Sequence, residues 1–194
     1  MAAPKILIIP GSNRTGSRNV RLAAAAGLRF VQAGADVTRI SLVDFPLPIY
    51  DADLQAKSGV PKHAVNLKRM IGAHQGVLLV TPEHNASIPA LLKNAIDWIT
   101  RVQDQDESRG QVFRVRPFAI AAASEGRLGG TRALAALRLI LSACHATVIP
   151  NQLALSFADQ AYDHIDRLKQ PGDIAALDAL VRQLMLFSQT DAER

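Results

Sequence analysis

A single cysteine, Cys144, in a chain of 194 residues leaves no partner for an internal disulfide and no thiolate cluster for a metal. It stands in the apolar segment Leu139 to Ala146, a setting for a structural thiol rather than a nucleophile. Aromatic residues make up only 5% of the chain, and no basic run is interleaved with them, so a nucleic-acid partner is not expected. No segment is long and apolar enough to cross a bilayer. The opening Met1-Ala-Ala-Pro-Lys5 lacks the charged and apolar regions of a signal peptide, so no membrane partner and a cytoplasmic location are expected. Also missing are the two common nucleotide loops. Gly-x-Gly-x-x-Gly does not occur near the first apolar run, and Gly11-x4-Gly16 is followed by Ser17-Arg18 where a P-loop needs Lys and then Ser or Thr. An NTPase is thereby disfavoured.

What is present fits one globular domain over residues 1–194. Hydrophobic residues form 48% of the chain, enough for a sizeable core. The net charge is +5, a modest excess spread along the sequence that favours anionic ligands. Apolar runs too short for helices recur at Lys5–Ile9, Asp36–Ser41, Gly76–Thr81, Phe118–Ala123 and Ala146–Ile149. Between and after them, helical patterns fall near Ser17–Gly34, Pro61–Ala73, Ser87–Val102, Gly129–Ala143 and Pro171–Ser188, with Gly34 placed to stop the first. Strict alternation describes an α/β doubly wound, flavodoxin-like domain: a five-stranded parallel sheet of order 2-1-3-4-5 with helices on both faces. Two long interruptions, Leu42–Gly59 and Gln103–Arg116, read as functional or interfacial loops. Asp104, Asp106 and Glu107 in the second read as a solvated face, with no metal expected.

In such a sheet, ligands bind beyond the carboxyl ends of the strands, at the switch point between strands one and three. Strand one runs into Pro10-Gly-Ser-Asn-Arg-Thr-Gly-Ser-Arg-Asn19 and then a helix. Unpaired N–H groups at a helix N-terminus, the hydroxyls of Ser12, Thr15 and Ser17 and the guanidinium groups of Arg14 and Arg18 suit one phosphate group. An ordinary polar turn with a serine cap is the other reading. Strand three leads into Thr81-Pro-Glu-His-Asn-Ala-Ser-Ile-Pro89, with Ser87 a candidate helix cap and backbone groups that could edge a flat heterocycle. Trp98, beside the apolar stripe of the helix that follows, is expected to be partly exposed and to suit a subunit contact. Strand four leads into Ser124-Glu-Gly-Arg-Leu-Gly-Gly130, where Gly126, Gly129 and Gly130 permit close backbone approach to a ligand. Arg127 reads as solvent-facing, with a pyridine-nucleotide phosphate as its other use. Three such loops on one rim suit a ligand with one phosphate and one large planar ring, which describes FMN.

On these residues the chain resembles the NADPH-dependent FMN reductase family, which includes quinone, chromate and azo-dye reductases. The family pattern G-S-x-R-x-x-S-x-N matches Gly11 to Asn19, P-E-Y-N-x-S-x-P-x-x-L-K-N-A-I-D-W matches Pro82 to Trp98, and S-x-G-x-x-G-G matches Ser124 to Gly130. The resemblance implies that Ser12, Arg14, Ser17 and Asn19 hold the FMN phosphate; Arg18, beside them, is a candidate from its guanidinium donors. It implies that Pro82, Glu83, His84, Asn85 and Ser87 border the flavin or ribityl chain, and that Ser124 and Gly126 approach the ring. One departure is His84, where the family has Tyr; a neutral ring packed near the flavin is the plainer reading and a proton donor the sharper one. The implied activity is hydride transfer from NADPH or NADH to FMN, then reduction of a quinone, free flavin or similar small acceptor. No side chain is expected as nucleophile or obligatory base, because the flavin does the chemistry. The resemblance also implies a homodimer or homotetramer, with Trp98, Arg101 and the 103–116 loop as candidate contacts. A flavin-carrying electron carrier and a sensor without NADPH turnover are the alternatives.

Overall fold

The computed structural model describes residues 3–104 and 106–190. Met1, Ala2, Gln105 and residues 191–194, which the one-domain expectation and the 103–116 contact loop include, lie outside the described residues. Five strands, β1 (Lys5–Pro10), β2 (Asp36–Arg39), β3 (Gly76–Thr81), β4 (Pro117–Ala123) and β5 (Thr147–Leu155), pair in parallel in the order β2-β1-β3-β4-β5. β3 and β4 are buried at every residue, as unbroken apolar runs covered on both faces must be.

The helices are α1 (Arg18–Gln32), α2 (Ala52–Ser58), α3 (Lys62–Gly72), α4 (Ala90–Ile99), α5 (Gln111–Arg114), α6 (Thr131–Ala143) and α7 (Pro171–Thr190). Alternate residues of each strand feed opposite cores. Ile6 and Ile8 of β1 pack with Leu22, Ala26 and Phe30 of α1 and Leu180 and Leu184 of α7. Leu7 and Ile9 pack with Leu67 of α3, Leu92 and Ile96 of α4 and Leu137 of α6. The expected order and the two covered faces are therefore both present. Gly34 stands just past α1 at φ +86, donating to the Val31 carbonyl.

Three local expectations need correction. The 42–59 interruption contains the turn Leu42–Asp44 and α2, whose Asp51 side chain caps the N–H groups of Asp53 and Leu54. α2 buries no residue, so it carries no apolar stripe to read. β5 runs six residues beyond Ile149, through Pro150 and the polar pair Asn151-Gln152, with a register shift opposite Phe118 and Ile120. An edge strand tolerates such residues because one side of its backbone need not pair. Finally, Trp98 is fully buried rather than partly exposed. Its indole N–H donates to the Pro48 carbonyl at 2.7 Å and Tyr50 meets its ring edge-on at 5.1 Å. The proline-bearing loop of the same chain covers it, so Trp98 is unavailable as a subunit contact. The acidic loop is held in its own way: Lys68, buried on α3, donates to both Asp104 and Glu107.

Candidate functional site

The carboxyl ends of β1, β3 and β4 open onto one cleft of about 480 Å³. It is lined by Gly11 to Arg14, Ser17 to Asn19, Pro82 to His84, Pro89 to Leu91 and Ala123 to Glu125. The three loops singled out in the sequence thus share one cavity at the switch point. Nine of the twelve expected residues line it: Ser12, Arg14, Ser17, Arg18, Asn19, Pro82, Glu83, His84 and Ser124. Asn85, Ser87 and Gly126 do not, although each adjoins or lies within two residues of one that does.

The first loop keeps its donors free. Gly16 at φ +69 turns the chain into α1, and a Cβ there would meet nothing within 4 Å. Ser17 is the N-cap; its Oγ accepts from the Val20 N–H, leaving its hydroxyl proton to donate. The Ser12 Oγ accepts from the Arg14 N–H at 3.4 Å and is likewise free to donate. Among the described residues the N–H groups of Asn13, Thr15 and Gly16 have no protein acceptor. The first turn of α1 carries no acidic residue to satisfy its positive end. The Arg18 Nε is buried without a hydrogen-bond partner. That set of unspent donors, with a shortage of acceptors, fits a phosphate monoester.

Asn19 behaves differently from its expected role. It is only 3% exposed, and its side-chain amide donates to the Ala123 carbonyl at 2.9 Å while accepting from the Ala123 N–H at 2.8 Å. It is a strut from α1 to the end of β4, not a free phosphate donor. The partner lies 104 residues away, so nothing local in the sequence announces it.

The second loop is a tight hairpin. His84 and Ser87 exchange backbone hydrogen bonds at 2.9 and 3.0 Å, and Asn85 and Ala86 between them both take positive φ, 50 and 64. That is the two-residue turn with mirror-image geometry, which favours Asn-Gly and tolerates Ala only under strain. Ser87 therefore closes the hairpin rather than capping α4, whose N-cap is Pro89. Glu83 points away from a flavin role: it accepts from Arg132 and, at 3.3 Å, from the Ala133 N–H, tying this loop to the start of α6. His84 and Asn85 remain exposed on the hairpin.

The third loop is built for packing at one end and openness at the other. A Cβ on Gly129 would stand 2.7 Å from the Ala154 carbonyl, and one on Gly130 would stand 2.6 Å from the Ala122 Cβ. Both glycines serve the contact of α6 with β4 and β5, not approach to a ligand. Gly126 is open, with only the Ser124 Oγ near at 3.8 Å. Sequence reasoning missed Glu125, which lines the cleft and pairs with Arg18. It also missed Pro89, Ala90 and Leu91, which give the cleft an apolar side. Arg127 is exposed and Cys144 is half-buried at the end of α6, where burial pushes its thiol pKa up. A donor-rich mouth beside an apolar side is a geometry that suits a flavin mononucleotide.

The family model for NADPH-dependent FMN reductase matches residues 4–160. The chain belongs to that family. It is 34% identical to a quinone reductase of Escherichia coli strain K12 over 189 residues, 95% of this chain and 94% of the relative. It is 38% identical to an NAD(P)H-dependent FMN reductase of Pseudomonas aeruginosa over 168 residues, 84% of each. Among solved structures, the flavoenzyme NAD(P)H:(acceptor) oxidoreductase of Paracoccus denitrificans superposes with a TM-score of 0.80 at 25% identity, covering 97% of this chain and 99% of that one. The chain is accordingly an oxidoreductase that uses FMN and a nicotinamide donor, with a small molecule as acceptor. Among the described residues, no helix is long and apolar enough to cross a membrane.

Proposed function

We propose that this chain is an NAD(P)H:quinone-type oxidoreductase whose FMN lies in the three-loop cleft, phosphate on the 12–18 loop and ring toward Pro82–Asn85 and Ser124–Gly126. The observation that carries this reading is the concentration of unspent donors on the first loop, in the same cleft as the apolar side formed by Pro89 to Leu91. Ser12, Arg14, Ser17 and Arg18 would hold the phosphate; Asn19 and Glu83 would keep the loops in register. FMN held there would supply the two-electron chemistry that links the nicotinamide donor to the acceptor. The protein's part is to bind, orient and exclude water, so no side chain is assigned as a nucleophile. The exposed N–H groups of the Asn85-Ala86 turn would offset negative charge that develops on a ring beside them. His84 stands on the same turn, where a ring edge is within its reach.

NADPH is the proposed donor in preference to NADH, and a quinone the proposed acceptor. The whole chain would act as one unit in the cytoplasm, as a homodimer or homotetramer in which Arg101 and the exposed part of the 103–116 loop remain candidate contacts. Arg101 stacks on Tyr50 at 4.7 Å, with its Nε buried and unpartnered. The test is the visible spectrum of purified protein with FMN under anaerobic conditions. Bleaching by NADPH followed by recovery on adding a quinone is expected. Bound flavin that does not bleach would instead support the electron-carrier or sensor alternative.

A further inference from the structure

Arg18 and Glu125 face each other across the mouth of the cleft, one on the first turn of α1 and the other on the third loop, and both line the cavity. Their side chains differ in exposure: Arg18 is 25% exposed, Glu125 is 64% exposed. The Arg18 Nη2 donates to the Glu125 carboxylate while its Nε is buried with no acceptor. α1 has no acidic residue in its own first turn, and Glu125, brought in from the third loop, is the carboxylate that pairs there. The cleft's other carboxylate, Glu83, is occupied by Arg132 and the Ala133 N–H.

We infer that Glu125 is an internal stand-in for the flavin phosphate: it latches Arg18 in the free protein and is displaced when the phosphate enters. The inference rests on the placement of FMN proposed above. Its physical basis is the asymmetry of the pair. A carboxylate so exposed returns to water at little cost, and an exposed ion pair contributes little to stability. The guanidinium, held on α1 with a dry Nε, stays behind as a donor for a dianionic monoester. Two anions competing for one guanidinium repel each other, so phosphate binding and the latch are antagonistic. The latch also joins the first loop to the third. The pair thereby makes the monophosphate, rather than the unphosphorylated ring, the ligand that opens the cleft.

The test compares wild type with Glu125→Gln in titrations of FMN and of riboflavin, followed by flavin fluorescence at low and high salt. Glu125→Gln should bind FMN about five-fold more tightly at low salt, with the gain falling below about two-fold in 0.5 M salt, as expected for a released exposed pair. Riboflavin affinity should not change. Unchanged or weaker FMN binding in Glu125→Gln would overturn the inference, because Glu125 would then be orienting Arg18 rather than competing for it. An equal gain for riboflavin would also overturn it. If wild-type protein fails to bind FMN at all, the placement of the cofactor itself is wrong, an outcome distinct from failure of the latch. A thermal melt of Glu125→Gln matching wild type keeps the comparison free of folding effects.

Discussion

The first and third loops of the cleft look alike as sequence: each follows a buried strand, opens a helix and is rich in serine and glycine. Their physical roles are opposite. The 11–19 loop leaves N–H groups, hydroxyl protons and a buried guanidinium nitrogen without acceptors, while Gly16 has empty space around it. In the 124–130 loop, Gly129 and Gly130 have backbone or a Cβ within 2.7 Å of where their own Cβ would be. Gly16 in the first has room at a turn beside the cleft, whereas Gly129 and Gly130 in the third, like Gly11 against Leu92 in the first, stand where packing leaves no space for a Cβ. A site is marked by polar groups left unsatisfied, and a packing joint by space already filled.

Substituting the glycines tests that contrast with the largest expected effect. Gly130→Ala combines a positive φ of 89 with a Cβ overlap and should lower unfolding free energy by about 3 kcal/mol. Gly16→Ala, strained in φ alone, should cost about 1 kcal/mol. Urea denaturation of the two variants checks the difference; equal losses would erase the distinction between the loops. A second pair separates strut from ligand donor. Asn19→Ala leaves the buried Ala123 backbone unsatisfied and should cost about 2 kcal/mol of stability. Ser12→Ala should leave stability within about 0.5 kcal/mol of wild type but weaken FMN binding about ten-fold. A destabilised Ser12→Ala, or an Asn19→Ala that loses only affinity, would reverse the two assignments.

The smallest expected effect lies away from the cleft, in the clasp of Lys68 with Asp104 and Glu107. Burial opposes the charge of Lys68, but hydrogen bonds and attraction from Asp104 and Glu107 outweigh it and hold its pKa above the ordinary 10.5. The Lys68 hydrogen bond, then its charge, holds Asp104 below the ordinary 3.8. A raised lysine stabilises the fold below its ordinary pKa and loses that contribution as pH rises through its folded value. A lowered carboxylate stabilises above its ordinary pKa and loses that as pH falls through its folded value. The melting difference between wild type and Lys68→Met should therefore be flat through neutral pH and shrink at both the acid and the strongly alkaline end. Melting curves across pH check this, and a difference that grows in acid would contradict it.

The sheet was legible because its central strands β1, β3 and β4 are short apolar runs buried at every residue but Lys5. Gly76–Thr81 has the same bounds in sequence and structure, and the observed order is that of the flavodoxin-like class which the alternation pointed to. The cleft was legible because a parallel sheet brings its βα loops to one rim. What escaped notice depends on distant contacts. Trp98 sits at the edge of a helical stripe, yet Pro48 and Tyr50, about fifty residues upstream, bury it. Glu83 and Asn19 carry motif positions but have been given structural partners 50 and 104 residues away. The glycines after Ser124 could not be told from ligand-facing ones without knowing that Ala122 and Ala154 lie under them.

The most direct measurement is a crystal structure of the protein with FMN bound. The phosphate is expected within about 3.2 Å of the Ser12 and Ser17 hydroxyls and the N–H groups of Asn13, Thr15 and Gly16, with the ring over Pro82–Asn85 and Ser124–Gly126. A phosphate left in solvent, or FMN seated elsewhere on the protein, would contradict the assignment of the first loop as its binding site.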